Sequence, residues 1–157
     1  MLHLNPLQKN ILTIQRTCSI VHFVADNTKL IVDASAVLAV ILEEPEKADL
    51  VSATAGSILI APSCLQWEIG NAFSAMIKRK RLTLELALKG LAIFETIPIQ
   101  EMKVAISDTL RLCDRYDIYA YDAYYLQLAK KVSIPLLTLD QKMIIVAEQE
   151  KIKVQNI

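Results

Sequence analysis

The chain has few of the residues that break or cross-link a fold. Three glycines and five prolines occur in 157 residues and none of them cluster. No linker or low-complexity tract therefore divides the chain. Cys18, Cys64 and Cys113 are odd in number, far apart and outside any CxxC spacing, which argues against a disulfide framework and against a zinc site. The two histidines, His3 and His22, lie near the start, away from every other candidate group, and histidine acid–base chemistry is disfavoured. Neither a P-loop nor a dinucleotide-binding glycine motif is present. Basic and acidic residues balance at 17 each, so the broad basic face of many nucleic-acid binders is not expected, although a local patch is compatible with that balance. Charges interrupt every apolar run before the roughly 18 residues of a membrane span, and no signal-peptide pattern follows Met1. A cytoplasmic protein with no membrane partner is expected.

Hydrophobic residues are abundant at 54%, sufficient for one domain with a true core. The pattern alternates strands and helices. LIVD at 30–33 reads as a strand and AVLAVILEE as a helix, followed by a second helix from about 45 to 55 with Pro45 in its first turn. SILIA reads as a buried strand after Gly56, and Pro62 with Ser63 opens a long helix running toward Lys80. TLELALKGLAIFET is helical, TIPI a strand, EMKVAISDTLRLCDRY and DAYYLQLAKKV helices, PLLTLD a strand, QKMIIVAEQE a helix and KVQNI a closing strand. Such alternation predicts an α/β fold with a central, mainly parallel β-sheet and helices on both faces.

Four carboxylates stand where these elements meet: Asp33, Glu68, Asp122 and Asp140. Each has an ordinary structural account. Asp33, Asp122 and Asp140 are placed to cap helices, and Glu68 lies within a helix whose polar face water would cover. Ligands of parallel sheets bind outside the carboxyl ends of the strands, at the switch point of strand order, and all four acids map toward that edge. Carboxylates packed in one crevice raise one another's pKa and call for a cation. A set of hard oxygen ligands with no histidine suits Mg²⁺, or Mn²⁺. Such an ion lowers the pKa of a bound water and supplies a hydroxide nucleophile. Asp33 and Asp140 are expected as direct ligands, and Glu68 and Asp122 as ligands directly or through water. Asn71, one turn after Glu68, and Ser35 are expected to orient water, phosphate or a carboxylate.

IVDASAVLAVILEEPE, ILIAPSCLQWEIGNAF, YDAYYLQLA and PLLTLD resemble, in order and spacing, the motifs of the PIN-domain ribonucleases, and among these the VapC-type toxins of toxin–antitoxin pairs. The resemblance covers residues 30–157. It implies a three-layer PIN-like fold with Asp33, Glu68, Asp122 and Asp140 as the acidic set. Asn71 matches the asparagine of an ExxN helix, and Ser35 and Thr138 match hydroxyl residues beside the acids. It further implies an Mg²⁺-dependent endoribonuclease leaving a 5′-phosphate and a 3′-hydroxyl, a homodimer, an RNA substrate such as a transfer or ribosomal RNA loop, and a small cognate antitoxin. The apolar faces of LAVILEE and KADLVSA are the natural surface for that partner. A PIN nuclease of RNA maturation, or a PIN-like binding module without catalysis, is the alternative.

Residues 1–29 precede the usual first strand, and two readings stand: an added segment packed on the domain, or a coding start placed too far upstream. Lys78, Arg79, Lys80 and Arg81 form the one dense basic run, either complementing a helix C-terminus or guiding an RNA backbone. Tyr116, Tyr119, Tyr121, Tyr124 and Tyr125 crowd around Asp122, with packing the commoner fate of such rings and stacking on a splayed base the alternative for one or two. Trp67, beside Glu68, is expected to be packed.

Overall fold

The computed structural model describes residues 28–157. Cys18, His3, His22 and nearly all of the 1–29 extension lie outside the described residues, as do both readings of that extension. Four strands pair in parallel, β1 (Lys29–Val32), β2 (Ile58–Pro62), β3 (Ile99–Met102) and β4 (Leu136–Leu137), in the order β3-β2-β1-β4. Seven helices accompany them: α1 (Ala34–Ile41), α2 (Lys47–Thr54), α3 (Leu65–Lys78), α4 (Leu84–Thr96), α5 (Ile106–Tyr116), α6 (Ala120–Val132) and α7 (Gln141–Gln149). The chain moves outward from β1 through β2 to β3, then returns to the other side of β1 to lay down β4. Strand order therefore reverses between β1 and β4, the position at which parallel sheets place a ligand beyond the carboxyl ends of their strands.

β1 is the inner strand of this junction, and Leu30, Ile31 and Val32 are buried on both of its faces. Helices cover the sheet on either side. α1 packs against α2, α3 and α4, whereas α6 crosses β1, β2 and β4 and carries α5 and α7. α6 contributes Ala123, Tyr125, Leu126, Leu128 and Ala129 to the core. α4 approaches closely through Gly90, where an added Cβ would lie 2.8 Å from Phe73 Cζ and 3.2 Å from Ile41 Cγ2.

Several boundaries differ from the sequence reading. Pro45 lies ahead of α2, whose N-cap is Glu46, and is not in its first turn. Pro62 closes β2, paired in register with Met102, and α3 starts only at Leu65 after a turn. β3 occupies IQEM, not TIPI, so Glu101 and Met102 belong to a strand and α5 begins at Ile106. An edge strand with one covered face needs no apolar run, and its residues are mostly exposed. β4 is reduced to Leu136 and Leu137, and the KVQNI segment makes only a bridge from Val154 to Leu136.

Glycine scarcity shows at the helix ends. Glu43, Lys80, Asp117, Ser133 and Lys151 take left-handed backbone angles, φ between 49° and 59°, at or just beyond the ends of five helices. Each carries a cost of about 1 kcal/mol that glycine would not.

Away from the crevice, the Glu150 carboxylate, its side chain 4% exposed, ties three helices together. Arg115 donates to it at 2.9 Å, and the Tyr116 hydroxyl and Lys130 ammonium donate as well. These donors hold Glu150 down from the usual 4.5 to about 2, first through the hydrogen bonds of Lys130 and Tyr116. Because the folded value is depressed, the stabilisation is full above pH 4.5 and disappears as pH falls through about 2.

Two measurements check this packing. Gly90→Ala is expected to lower stability by about 1–3 kcal/mol in denaturant unfolding, because the new methyl group must displace the Phe73 ring. Glu150→Gln is expected to cost about 1–2 kcal/mol at pH 7, the partners' exposure screening the rest. That difference should narrow as both proteins are titrated from pH 4.5 toward pH 2.

Candidate active site

The residue after β1 is Asp33, and its extended backbone (φ −96°, ψ 173°) makes it the N-cap of α1. Its Oδ1 accepts the Ala36 amide at 3.0 Å, as the capping account requires. The carboxylate does more than cap. Ser35 Oγ lies 2.8 Å from both oxygens, and Thr138 Oγ1 donates to Oδ2 at 2.8 Å from the far side of the switch point. The same hydroxyls accept in turn, Ser35 from the Leu139 amide and Thr138 from the Asp140 amide, each at 3.0 Å. Two junctions, β1–α1 and β4–α7, are thereby closed on one buried carboxylate that is 4% exposed.

Asp140 does not end a strand. It lies three residues beyond β4, exposed, and caps α7 by accepting the Met143 amide at 3.0 Å. Glu68 is not in mid-helix but in the first turn of α3, where the helix dipole favours a carboxylate. It is only partly exposed. Tyr125 Oη donates to its Oε1 at 2.8 Å and the Cys64 thiol approaches the same oxygen at 3.3 Å. Asp122 stands in the first turn of α6, whose N-cap is Tyr119, so the capping account fails for it.

Charge links these acids. Burial raises Asp33 above the ordinary carboxylate value, more than its hydrogen bonds can lower it. Burial likewise raises Glu68, and the charges of Asp33 and Asp122 push it further. Asp122 is raised by burial and then by Asp140, with Lys142 opposing. Burial beside Glu68 pushes the Cys64 thiol up to about 12 and raises the Tyr125 phenol, so both remain protonated donors. Asp33, Glu68, Asp122 and Asp140 thus form a chain of mutually repelling neighbours.

Among the described residues, no three acidic, cysteine or histidine side chains stand together as a ready ligand cage. The carboxylates are turned onto hydroxyl, thiol, phenol and amide donors. As a donor set, oxygens from four carboxylates under mutual repulsion suit a hard divalent cation, which would relieve the repulsion. The other expected residues divide. Ser35 and Thr138 touch Asp33, whereas Asn71 is exposed on α3, one turn past Glu68. Lys78, Arg79, Lys80 and Arg81 are exposed at the opposite end of α3, about 15 Å along the axis from Glu68. They do not border the acids.

Three groups are not among the expected site residues. Tyr125 lies one turn after Asp122, and Cys64 one turn before Glu68, so helical spacing was the available signal. Lys142 offsets Asp122 while its ammonium donates to the Asp117 carbonyl at 2.7 Å. Trp67 is 64% exposed and not packed, because its side of α3 faces away from the core. Of the five tyrosines only Tyr125 is fully buried, while Tyr119 and Tyr121 are exposed.

Comparison with known proteins agrees with this architecture. Residues 30–149 match the family model of the PIN domain. The fold is similar to that of PAE2754 from Pyrobaculum aerophilum, with 18% identity over 83% of this chain and 88% of that one and a TM-score of 0.60. It is also similar to VapC20 of Mycobacterium tuberculosis, a toxin that cleaves the sarcin–ricin loop, with 13% identity over 74% of this chain and 93% of that one and a TM-score of 0.54. No curated protein matches the chain in sequence.

Asp33→Asn keeps the size of the side chain and removes its buried charge. It also turns one acceptor oxygen into a donor, so without divalent ions the relief of buried charge and the lost hydrogen bond are expected to offset, leaving the variant within about 1 kcal/mol of wild type. Millimolar Mg²⁺ should raise the wild-type midpoint and shift the variant less. A variant that melts well below wild type would show that the charge is net stabilising.

Proposed function

The chain belongs to the PIN-domain family, and from that premise we propose that it is a Mg²⁺-dependent endoribonuclease, the toxin of a VapBC-type pair. The observation that carries the reading is the placement of the four acids, Asp33 and Asp140 capping the helices that follow β1 and β4 at the switch point, and Glu68 and Asp122 in the first turns of α3 and α6. Asp33 and Asp140 would hold the ion directly, with Glu68 and Asp122 completing its shell directly or through water; Mn²⁺ fits the same oxygens. When bound, the ion supplies water of lowered pKa and positive charge against the developing charge on the phosphate.

The protein's own groups prepare that site. Ser35 and Thr138 aim the Asp33 oxygens, and Tyr125 and Cys64 fix Glu68 in one rotamer. Lys142 tempers the charge of Asp122. Asn71, free on the solvent side, is available to orient the substrate phosphate or a water. Hydrolysis leaves a 5′-phosphate and a 3′-hydroxyl.

A structured RNA loop is the proposed substrate class, by analogy with the loop cleaved by VapC20. The proposed antitoxin is a small protein with an amphipathic segment. An apolar cleft of about 180 Å³, bordered by Val37, Val40, Leu50, Val51, Thr54 and Ile97, supports that partner, since it lies on the two helical segments whose apolar faces the sequence singled out. A homodimer and a cytoplasmic location complete the proposal, with residues 30–157 as the catalytic domain.

Purified protein with Mg²⁺ is expected to cut RNA, and chelator or Asp33→Asn should reduce cutting to background. Tyr125→Phe, which removes the donor to Glu68, should lower the rate about 10- to 100-fold. Cleavage that survives both chelator and Asp33→Asn would overturn the metal account.

A further inference from the structure

Trp67 is the chain's one tryptophan, and a ring of that size left 64% exposed is uncommon on a surface without a ligand. It borders an open cleft of about 300 Å³ with Cys64, Met102, Lys103, Ile106 and Tyr124. Ile106 and Met102 are also exposed, at 62% and 37%. The cleft adjoins the acids through its own walls. Cys64 gives its thiol to Glu68, Trp67 precedes Glu68 on α3, and Tyr124 precedes the Tyr125 that bonds Glu68 from α6. Tyr124 is held by an edge-on contact with Tyr121, ring centroids 6.1 Å apart.

We propose that this cleft is a nucleobase subsite, in which Trp67 and Tyr124 take an unstacked base flanking the scissile phosphate and Lys103 meets a neighbouring phosphate. The inference rests on the nuclease reading and names the part of the substrate that the acids do not contact. Two aromatic rings from different helices, apolar walls and one cation match the π-face of a base attached to an anionic backbone. An aliphatic peptide side chain would use the walls but neither the rings nor Lys103. Because the cleft begins at Cys64, a hydrogen-bond partner of Glu68, a base bound there lies beside the phosphate held at the carboxylates. The cleft thereby restricts cleavage to RNA that can release a base, such as a loop.

Trp67 is its own reporter. Full-length Asp33→Asn protein in Mg²⁺ is titrated with a short single-stranded RNA, and with the same RNA carrying one abasic nucleotide at successive positions. Wild-type protein in chelator provides the second titration should the variant fold poorly. Quenching of tryptophan emission by the intact RNA is expected, with one abasic position weakening it about tenfold or more, and Tyr124→Ala weakening it similarly. Wild-type cleavage should fall by a like factor in Trp67→Ala, while Trp67→Phe retains most of it. RNA that is cut in Mg²⁺ while tryptophan emission stays unchanged would overturn the subsite and leave the nuclease reading standing. Base-dependent quenching without any cleavage would support the subsite and count against the nuclease. Emission that shifts to the blue as the protein is concentrated, and ignores RNA, would assign the face to a second copy of the chain and overturn the subsite.

Discussion

The buried carboxylate of Asp33 is the point on which the rest of the molecule depends. It lies where strand order reverses, and it takes hydrogen bonds from the α1 amide of Ala36, from Ser35 and from Thr138 across the junction. Ser35 and Thr138 then accept the Leu139 and Asp140 amides, so the loop leading into α7 is folded against the same group. A short β4 of two residues suffices because this polar net, in addition to the ladder, fixes its exit. The net also determines where Asp140 emerges.

Satisfying a carboxylate with hydrogen bonds does not remove the energy of burying its charge. Asp33, Glu68 and Asp122 are all raised, burial being the first cause in each. The protein answers with donors that stay neutral, the phenol of Tyr125 and the thiol of Cys64, and with one lysine ammonium near Asp122. Among the described residues positive charge is thus scarce around these acids, and the opposite holds at Glu150, where two cations and a phenol surround one carboxylate. The first arrangement is the one that the proposed divalent ion would neutralise, and the second is balanced by side chains of the protein itself. α6 spans the two, with Asp122 in its first turn and Lys130 in its last.

Beside the acids the surface changes character. α3 presents Glu68 inward toward Tyr125 and Trp67 outward, so adjacent residues serve the polar crevice and an aromatic cleft. The basic run at the end of the same helix is remote from both, and its Lys80 occupies a left-handed turn. That position is compatible both with complementing the dipole of α3 and with guiding an RNA backbone.

The alternation of strands and helices, the parallel sheet and the four acids were legible in the residues, because β-branched runs and helical periodicity are local signals and each acid stands at or near an element boundary. The pattern misplaces β3 because an exposed edge strand lacks the apolar run that marks a buried one, and Pro62 because a proline at a strand's last position looks the same as one opening a helix. Trp67 was expected inside because sequence does not reveal which side of a helix its neighbours cover. The donors to Glu68, the Thr138 bond to Asp33 and the hub at Glu150 join residues far apart along the chain, and such pairings have no periodicity to betray them. By itself, then, the sequence determined which elements form and which acids they carry, since both follow from neighbours a few positions away. The tertiary structure alone decided which of those acids repel one another, which groups hold them, and which aromatic ring is left facing solvent, since these depend on distances that only chain reversal at the switch point creates.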